Sequence, residues 1–223
     1  MRIAGLDPGK KRDSFSFVGI EIKNDNVCVL GVKNWLHRNY IDVEQDIVKI
    51  DEKNPFDHYV LEINNTGEHV FESLAYQHRL QNVIPVFTSR ELKDQKKIMA
   101  GKVMSKNEMV VWMARMFQAN RIKFPKNSTE GINELKRQLT IFTEHISEAG
   151  QHSFYAEGNE HDDTVMALML ACFMGRHYIK RQEVPQQKMT SATRRYTFHT
   201  QEDELGTGVP EYATPISAEV YYP

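Results

Sequence analysis

Apolar and polar residues alternate along this chain in two rhythms, and the change from one to the other divides it into strands and helices. Residues 2–7, Arg2-Ile-Ala-Gly-Leu-Asp7, form a short apolar run closed by the turn Pro8-Gly9-Lys10-Lys11. Ser14 to Ile22 alternates and is rich in Phe, Val and Ile, and Val27 to Val32 repeats the pattern after Lys23-Asn-Asp-Asn26. A period of two interrupted by short polar turns predicts three strands in an antiparallel meander. From Ile41 to Lys53 the apolar positions fall at 43, 47 and 50, which predicts a helix ending before Pro55. Tyr59 to Ile63 predicts a strand, residues 68–80 a helix and Val83 to Phe87 another strand. That order, with connections of this length, predicts parallel neighbours.

Residues 91–118 read as helical, Arg121 to Phe124 as a short extended piece before Pro125, and residues 129–147 as helical again. Asp162 to Tyr178 is apolar nearly all round after its acidic start, which predicts a buried helix with carboxylates at its N-terminal end. Beyond Lys180 the chain turns to Gln, Thr, Pro, Gly and Glu without periodicity. The expected organisation is one α/β domain over residues 1–182 and an extended or partly disordered tail over 183–223.

Composition narrows this picture only a little. A chain of 223 residues with 40% hydrophobic and 26% charged residues is long enough to bury a core without disulfides or a structural metal. Its two cysteines, Cys28 and Cys172, lie in apolar segments, as reduced and buried cysteines do, which predicts a cytoplasmic protein. The longest apolar run, Val165 to Met174, is too short for a membrane span, and residues 1–6 are too short for a signal peptide. A net charge of -2 and a pI near 6.5 lack the basic excess of proteins that grip DNA through its phosphates. Basic residues are nevertheless gathered in two stretches. One holds Arg90, Lys93, Lys96, Lys97, Lys102 and Lys106, the other Arg176, Lys180, Arg181, Lys188, Arg194 and Arg195. The first is the candidate DNA track, although a solvated helix face explains either run equally well.

Candidate chemistry lies in the acidic residues that interrupt apolar segments. Asp7 ends the first strand, where open α/β sheets place their ligands; as a single residue it is equally well a turn aspartate. Glu62 stands inside Tyr59-Val-Leu-Glu-Ile63, and glutamate is rarely buried without a partner, although on one face of an edge strand it would simply be exposed to solvent. Asn64-Asn65-Thr66-Gly67 would then close a polar loop over it. Asp162 and Asp163 open the buried helix; one cap explains one aspartate, and the second is left over. Hard divalent cations take oxygen ligands, and two of them held about 4 Å apart can drive phosphodiester hydrolysis. Carboxylates alone suffice for that, and no His/Cys cluster with zinc-like spacing competes with them.

In order and spacing, Gly5-Leu-Asp7-Pro-Gly9, Val60-Leu-Glu62-Ile-Asn64-Asn-Thr-Gly67 and His161-Asp-Asp163-Thr-Val-Met-Ala-Leu-Met-Leu-Ala171 resemble the nuclease domain of phage terminase large subunits. The resemblance spans residues 1 to about 178. It implies an RNase H-like fold, a central mixed β-sheet flanked by helices, and two-metal cleavage of double-stranded concatemeric viral DNA with Mg²⁺ or Mn²⁺. Asp7 would bridge both ions, Glu62 would bind one, and Asp163 or Asp162, which the sequence does not rank, would complete the set. Asp13 matches a further acidic position of less certain role.

Terminase large subunits carry an ATPase motor before the nuclease, and no Gly-x-x-x-x-Gly-Lys-Ser/Thr loop is found here. The chain is thus expected to be either an excised domain or a free-standing relative. Its partners would be duplex DNA, the motor domain, the portal and the small terminase subunit in a host cytoplasm. Three other readings stand beside this one: a Holliday-junction resolvase, an actin-like ATPase in which Gly5-Leu-Asp7-Pro-Gly9 is a phosphate turn, and a catalytically inactive binding module.

Overall fold

The three N-terminal segments form the predicted meander, each limited by its turn chemistry. In the computed structural model, which describes residues 1–9, 14–64, 66–89, 102–146, 152–156 and 160–180, they are β1 (Arg2–Pro8), β2 (Ser14–Lys23) and β3 (Asn26–Leu36). Asn24 and Asp25 join β2 to β3 with φ of 51° and 60°, the left-handed pair that matches the twist of a two-residue hairpin.

Helix α1 (Tyr40–Lys53) leads to β4 (His58–Glu62), which returns parallel to β1. Helix α2 (Gly67–Glu72) continues through a wider turn over Ser73–Gln77 and crosses to β5 (Val83–Ser89), parallel to β4. The remaining elements are β6 (Lys102–Ser105), α3 (Lys106–Gln118), β7 (Ile122–Lys123), α4 (Glu130–Ile141), β8 (Phe142–Ile146), β9 (His152–Ala156) and α5 (Asp163–Gly175). Seven strands make one mixed sheet in the order β6-β5-β4-β1-β2-β3-β7, and β8 with β9 forms a separate hairpin. The expectation of a central mixed sheet flanked by helices is met.

Strand alternation sends side chains into two cores. Ala4, Leu6, Phe15, Phe17, Tyr59 and Leu61 pack with Val43, Ile47 and Ile50 of α1 and with Val70 of α2. Ile3, Val18, Ile20, Val60 and Val86 face the opposite way and meet α3, α4 and α5. Helix α5 is buried along its whole length, from Thr164 to Gly175. Gly5 lets it lie against β1: a Cβ at that position would stand 1.8 Å from the Ala167 carbonyl oxygen.

Two helix expectations need correction. Residues 91–118 are expected to be helical throughout, but Lys102–Ser105 is an edge strand parallel to β5, followed by the helix Lys106–Gln118; the part of that expectation over 91–101 lies outside the described residues. Ser105 ends the strand and caps the helix, its hydroxyl accepting the Glu108 N–H, so a single serine marks the switch. Residues 129–147 likewise stop being helical at Ile141, because Phe142–Ile146 finds a partner strand in His152–Ala156 that no periodicity announced. Arg90, Lys93, Lys96, Lys97, Asp13 and the 183–223 tail lie outside the described residues. Among the described residues no helix is long and apolar enough to cross a membrane.

Candidate active site

Two adjacent parallel strands end in carboxylates. Leu6 pairs with Leu61 in the β1–β4 register, so Asp7 and Glu62 follow side by side at the carboxyl ends of their strands. Alternation turns both toward α5: Asp7 shares a face with Ile3 and Gly5, and Glu62 shares one with Val60. The close seating of α5 on Gly5 brings the start of that helix, and with it Asp163, to the same end of the sheet.

Asp7 is buried, and its carboxyl is pushed well above the usual carboxylate range. The largest cause is its removal from water. The charge of Glu62, a hydrogen bond shared with that residue, and the charges of Asp163 and Asp162 then add to it. Glu62, Asp163 and Asp162, the other acidic positions read from the sequence, therefore each act on Asp7. A hydrogen bond between two carboxyl groups requires a shared proton, as expected where like charges are pressed together.

Neutral polar side chains hold the acids in place. The Thr88 hydroxyl donates to Glu62 Oε1, and Asn64 Nδ2 donates to the same oxygen at 3.0 Å and to the Thr88 carbonyl at 3.0 Å. Behind Glu62, Gly67 packs so tightly that a Cβ would stand 2.0 Å from the Glu62 carbonyl oxygen. The Ser14 hydroxyl donates to Asp163 Oδ2, and His161 Nδ1 lies 3.6 Å from that oxygen. Lys106 Nζ stands 3.5 Å from Asp162 Oδ2, which makes no hydrogen bond although buried, and 5.8 Å from the centre of the Phe142 ring. Tyr40 closes the rim, donating to the Gly9 carbonyl at 2.5 Å and lying 3.2 Å from the Thr66 hydroxyl.

Lys106, read from the sequence as part of a DNA track, stands beside Asp162, and Lys102 of the same stretch is exposed on β6. Ser14 and Thr88 were not singled out. A signal for Ser14 existed in the alternation Ser14-Phe15-Ser16-Phe17, whose polar members share a face beyond the apolar Val18 and Ile20. Thr88 stands two residues beyond Val86 and so on the face that meets α5.

The donor set is made of carboxylate and hydroxyl oxygens, the chemistry that suits hard divalent cations. Among the described residues no three His, Cys, Asp or Glu side chains stand in a closed ligand arrangement. The acids are satisfied by each other and by their neutral neighbours, and the buried Asp162 Oδ2 keeps its acceptor capacity unused. Residues and chemistry fit one or more oxygen-liganded cations.

A family model described as the terminase RNaseH-like domain matches residues 4–174. The chain belongs to that family. Solved structures agree with the fold of this terminase domain. The large terminase nuclease from thermophilic phage G20c with bound magnesium is 16% identical, with a TM-score of 0.59 over 77% of this chain and 79% of that one. A mutant nuclease domain of the large terminase subunit of bacterial virus Sf6, with manganese, is 11% identical, with a TM-score of 0.58 over 76% and 86%. The large terminase of a thermophilic bacteriophage is 12% identical, with a TM-score of 0.57 over 80% of this chain but 40% of that one. No curated protein matches the sequence. The terminase domain has an RNase H-like fold, as its three motifs implied.

Proposed function

We propose that residues 1–182 are a metal-dependent endonuclease that cleaves double-stranded, concatemeric viral DNA during genome packaging. What carries the reading is the electrostatic crowding at Asp7, where a shared hydrogen bond with Glu62 of the neighbouring strand and the charges of Asp163 and Asp162 at the start of α5 act on one buried carboxyl group. Such repulsion lowers stability unless a cation or a proton relieves it, so its presence at the carboxyl edge of the sheet points to ligand chemistry. Family membership and neighbours solved with magnesium and manganese support the same choice of cation.

Asp7, Glu62 and Asp163, with Asp162 beside them, would hold two Mg²⁺ or Mn²⁺ ions. When bound, such ions neutralise charge on a phosphodiester and make water acidic enough to attack near neutral pH. The chain's own contribution is placement. Thr88 and Asn64 hold Glu62, Ser14 holds Asp163, and Asp7, near the end of β1, feels the charges of Glu62, Asp163 and Asp162. In-line attack would leave 5′-phosphate and 3′-hydroxyl ends. Lys102, with Arg90, Lys93, Lys96 and Lys97, would contact the DNA backbone. Motor domain, portal and small subunit would supply the rest of the grip, in keeping with a net charge of -2.

The test is a titration of Mg²⁺ and Mn²⁺ against cleavage of supercoiled and linear duplex, with four-way junctions as a second substrate. Metal-dependent duplex cleavage, lost with chelator and in Asp7→Asn, is the expected result. Symmetric cutting confined to junctions would mean a resolvase, and no cleavage with any divalent ion an inactive binding module.

A further inference from the structure

The helices of this domain are capped by their own leading residues, with an informative exception at the site. Asn39 accepts the Asp42 N–H at 2.9 Å, Ser105 the Glu108 N–H at 3.4 Å and Thr129 the Ile132 N–H at 3.4 Å. Among the described helices longer than six residues, α5 alone begins without a side-chain cap. Asp162 occupies its cap position, since its carbonyl accepts the Met166 N–H at 2.9 Å, and aspartate is among the best capping residues. Yet its carboxylate makes no cap bond and Oδ2 faces Lys106 instead.

The missing acceptor comes from another helix. Gln138 of α4 is fully buried, and its Oε1 accepts the Thr164 backbone N–H at 3.0 Å and the Thr164 hydroxyl at 2.5 Å. Thr164 is the second helical residue, whose N–H a cap side chain ordinarily takes. The amide cannot turn over without loss: Nε2 donates to Glu134 Oε1 at 2.9 Å, and an acceptor would meet that carboxylate if the group flipped. Glu134 is gripped at both oxygens by Arg137, each at 2.8 Å, and Arg137 reaches on to Glu160 Oε2 at 3.0 Å, just ahead of Asp162.

We propose that Gln138 is a positioning residue of the carboxylate site, capping α5 from the neighbouring helix so that Asp162 is released from its own helix to face Asp7 and the cation. This rests on the nuclease reading for its purpose, but the cap itself is made of protein groups alone. Removing Gln138 leaves two buried donors on Thr164, and the Asp162 carboxylate, at the cap position two residues before, is the group that ordinarily answers such an N–H. That side chain would then swing onto the helix and leave the site.

The experiment is a melting cycle on the metal-free full-length chain with Asp162→Ala, Gln138→Leu and the double variant, followed by Mn²⁺ binding to each. In the wild-type background Asp162→Ala is expected to leave the melting temperature unchanged or raise it. In the Gln138→Leu background, where Asp162 has become the cap, it is expected to lower it by about 3 °C. Gln138→Leu alone should raise the Mn²⁺ concentration at half-saturation about tenfold, the effect of losing a partner that orients a ligand. Additive melting shifts would overturn the proposal. So would a fall of about 3 °C for Asp162→Ala alone, which needs no Gln138 variant to fold. Coupled melting with no Mn²⁺ bound by the wild type would keep Gln138 as the cap and remove the cation reading, so the two ideas fail separately.

Discussion

At Gly5 the contact between β1 and α5 is backbone against backbone, with no room for a methyl group before the Ala167 carbonyl. Two residues further along the same strand and face, buried Asp7 meets Glu62 and the charges of Asp163 and Asp162, which with its burial push its carboxyl well above the usual carboxylate range. The first end is optimised for packing: α5 is buried on every side from Val165 to Met174 and joins the larger of the two cores. The second end is arranged against stability. The close fit at one end is what makes the repulsion at the other sustainable, because the helix cannot drift away from the sheet to relax it.

The largest effect should come from the acidic end. Asp7→Asn is expected to reduce metal-dependent cleavage at least about a thousandfold, or about 4 kcal/mol of transition-state stabilisation, with the circular dichroism spectrum unchanged. Wild-type rates in that variant would remove Asp7 from the site. Next, Gly5→Ala should break the packing end. With backbone as the obstacle, a loss of about 3 kcal/mol and melting about 10 °C lower are expected, with cleavage failing because α5 is displaced. Melting unchanged by the methyl group would mean that α5 does not seat on β1.

Thr88→Val and Ser14→Ala probe the neutral partners, each being expected to raise the metal midpoint about tenfold while changing melting little. An unchanged midpoint in both would show that Glu62 and Asp163 are oriented by other groups. The smallest effect has the opposite sign. The folded-state pKa of Asp7 is raised, so its favourable contribution belongs to the protonated form, is complete below the ordinary aspartate value of about 4, and is lost as pH rises through the raised value. Without metal, Asp7→Asn should therefore melt about 3 °C above the wild type at pH 7, with the gap closing as pH falls toward 4. A variant less stable than the wild type at neutral pH would contradict the repulsion described at the site.

Much of this architecture was legible in the order of residues. Strand and helix periods placed the meander, α1, β4 and β5, and the acids stood out because each interrupts an apolar segment or opens one. Local patterns carry such information because burial of one face forces a repeat. They carried less where pairing is long-range. Lys102–Ser105 and Phe142–Ile146 are short pieces whose strand character comes from partners at 86–89 and 152–156, and their flanking helices masked them. The residues that hold the acids were hidden for the same reason. Thr88 is 26 positions from Glu62, Ser14 is 149 from Asp163, and Gln138 is 26 from Thr164. The linear chain decided which residues could be acidic, buried or strand-forming, since those are properties of side chains and their immediate repeat. Only the tertiary structure decided that Lys106 stands beside Asp162 and that a glutamine of α4 caps α5, because charge and hydrogen-bond energies depend on distances that close only when sheet and helices are packed.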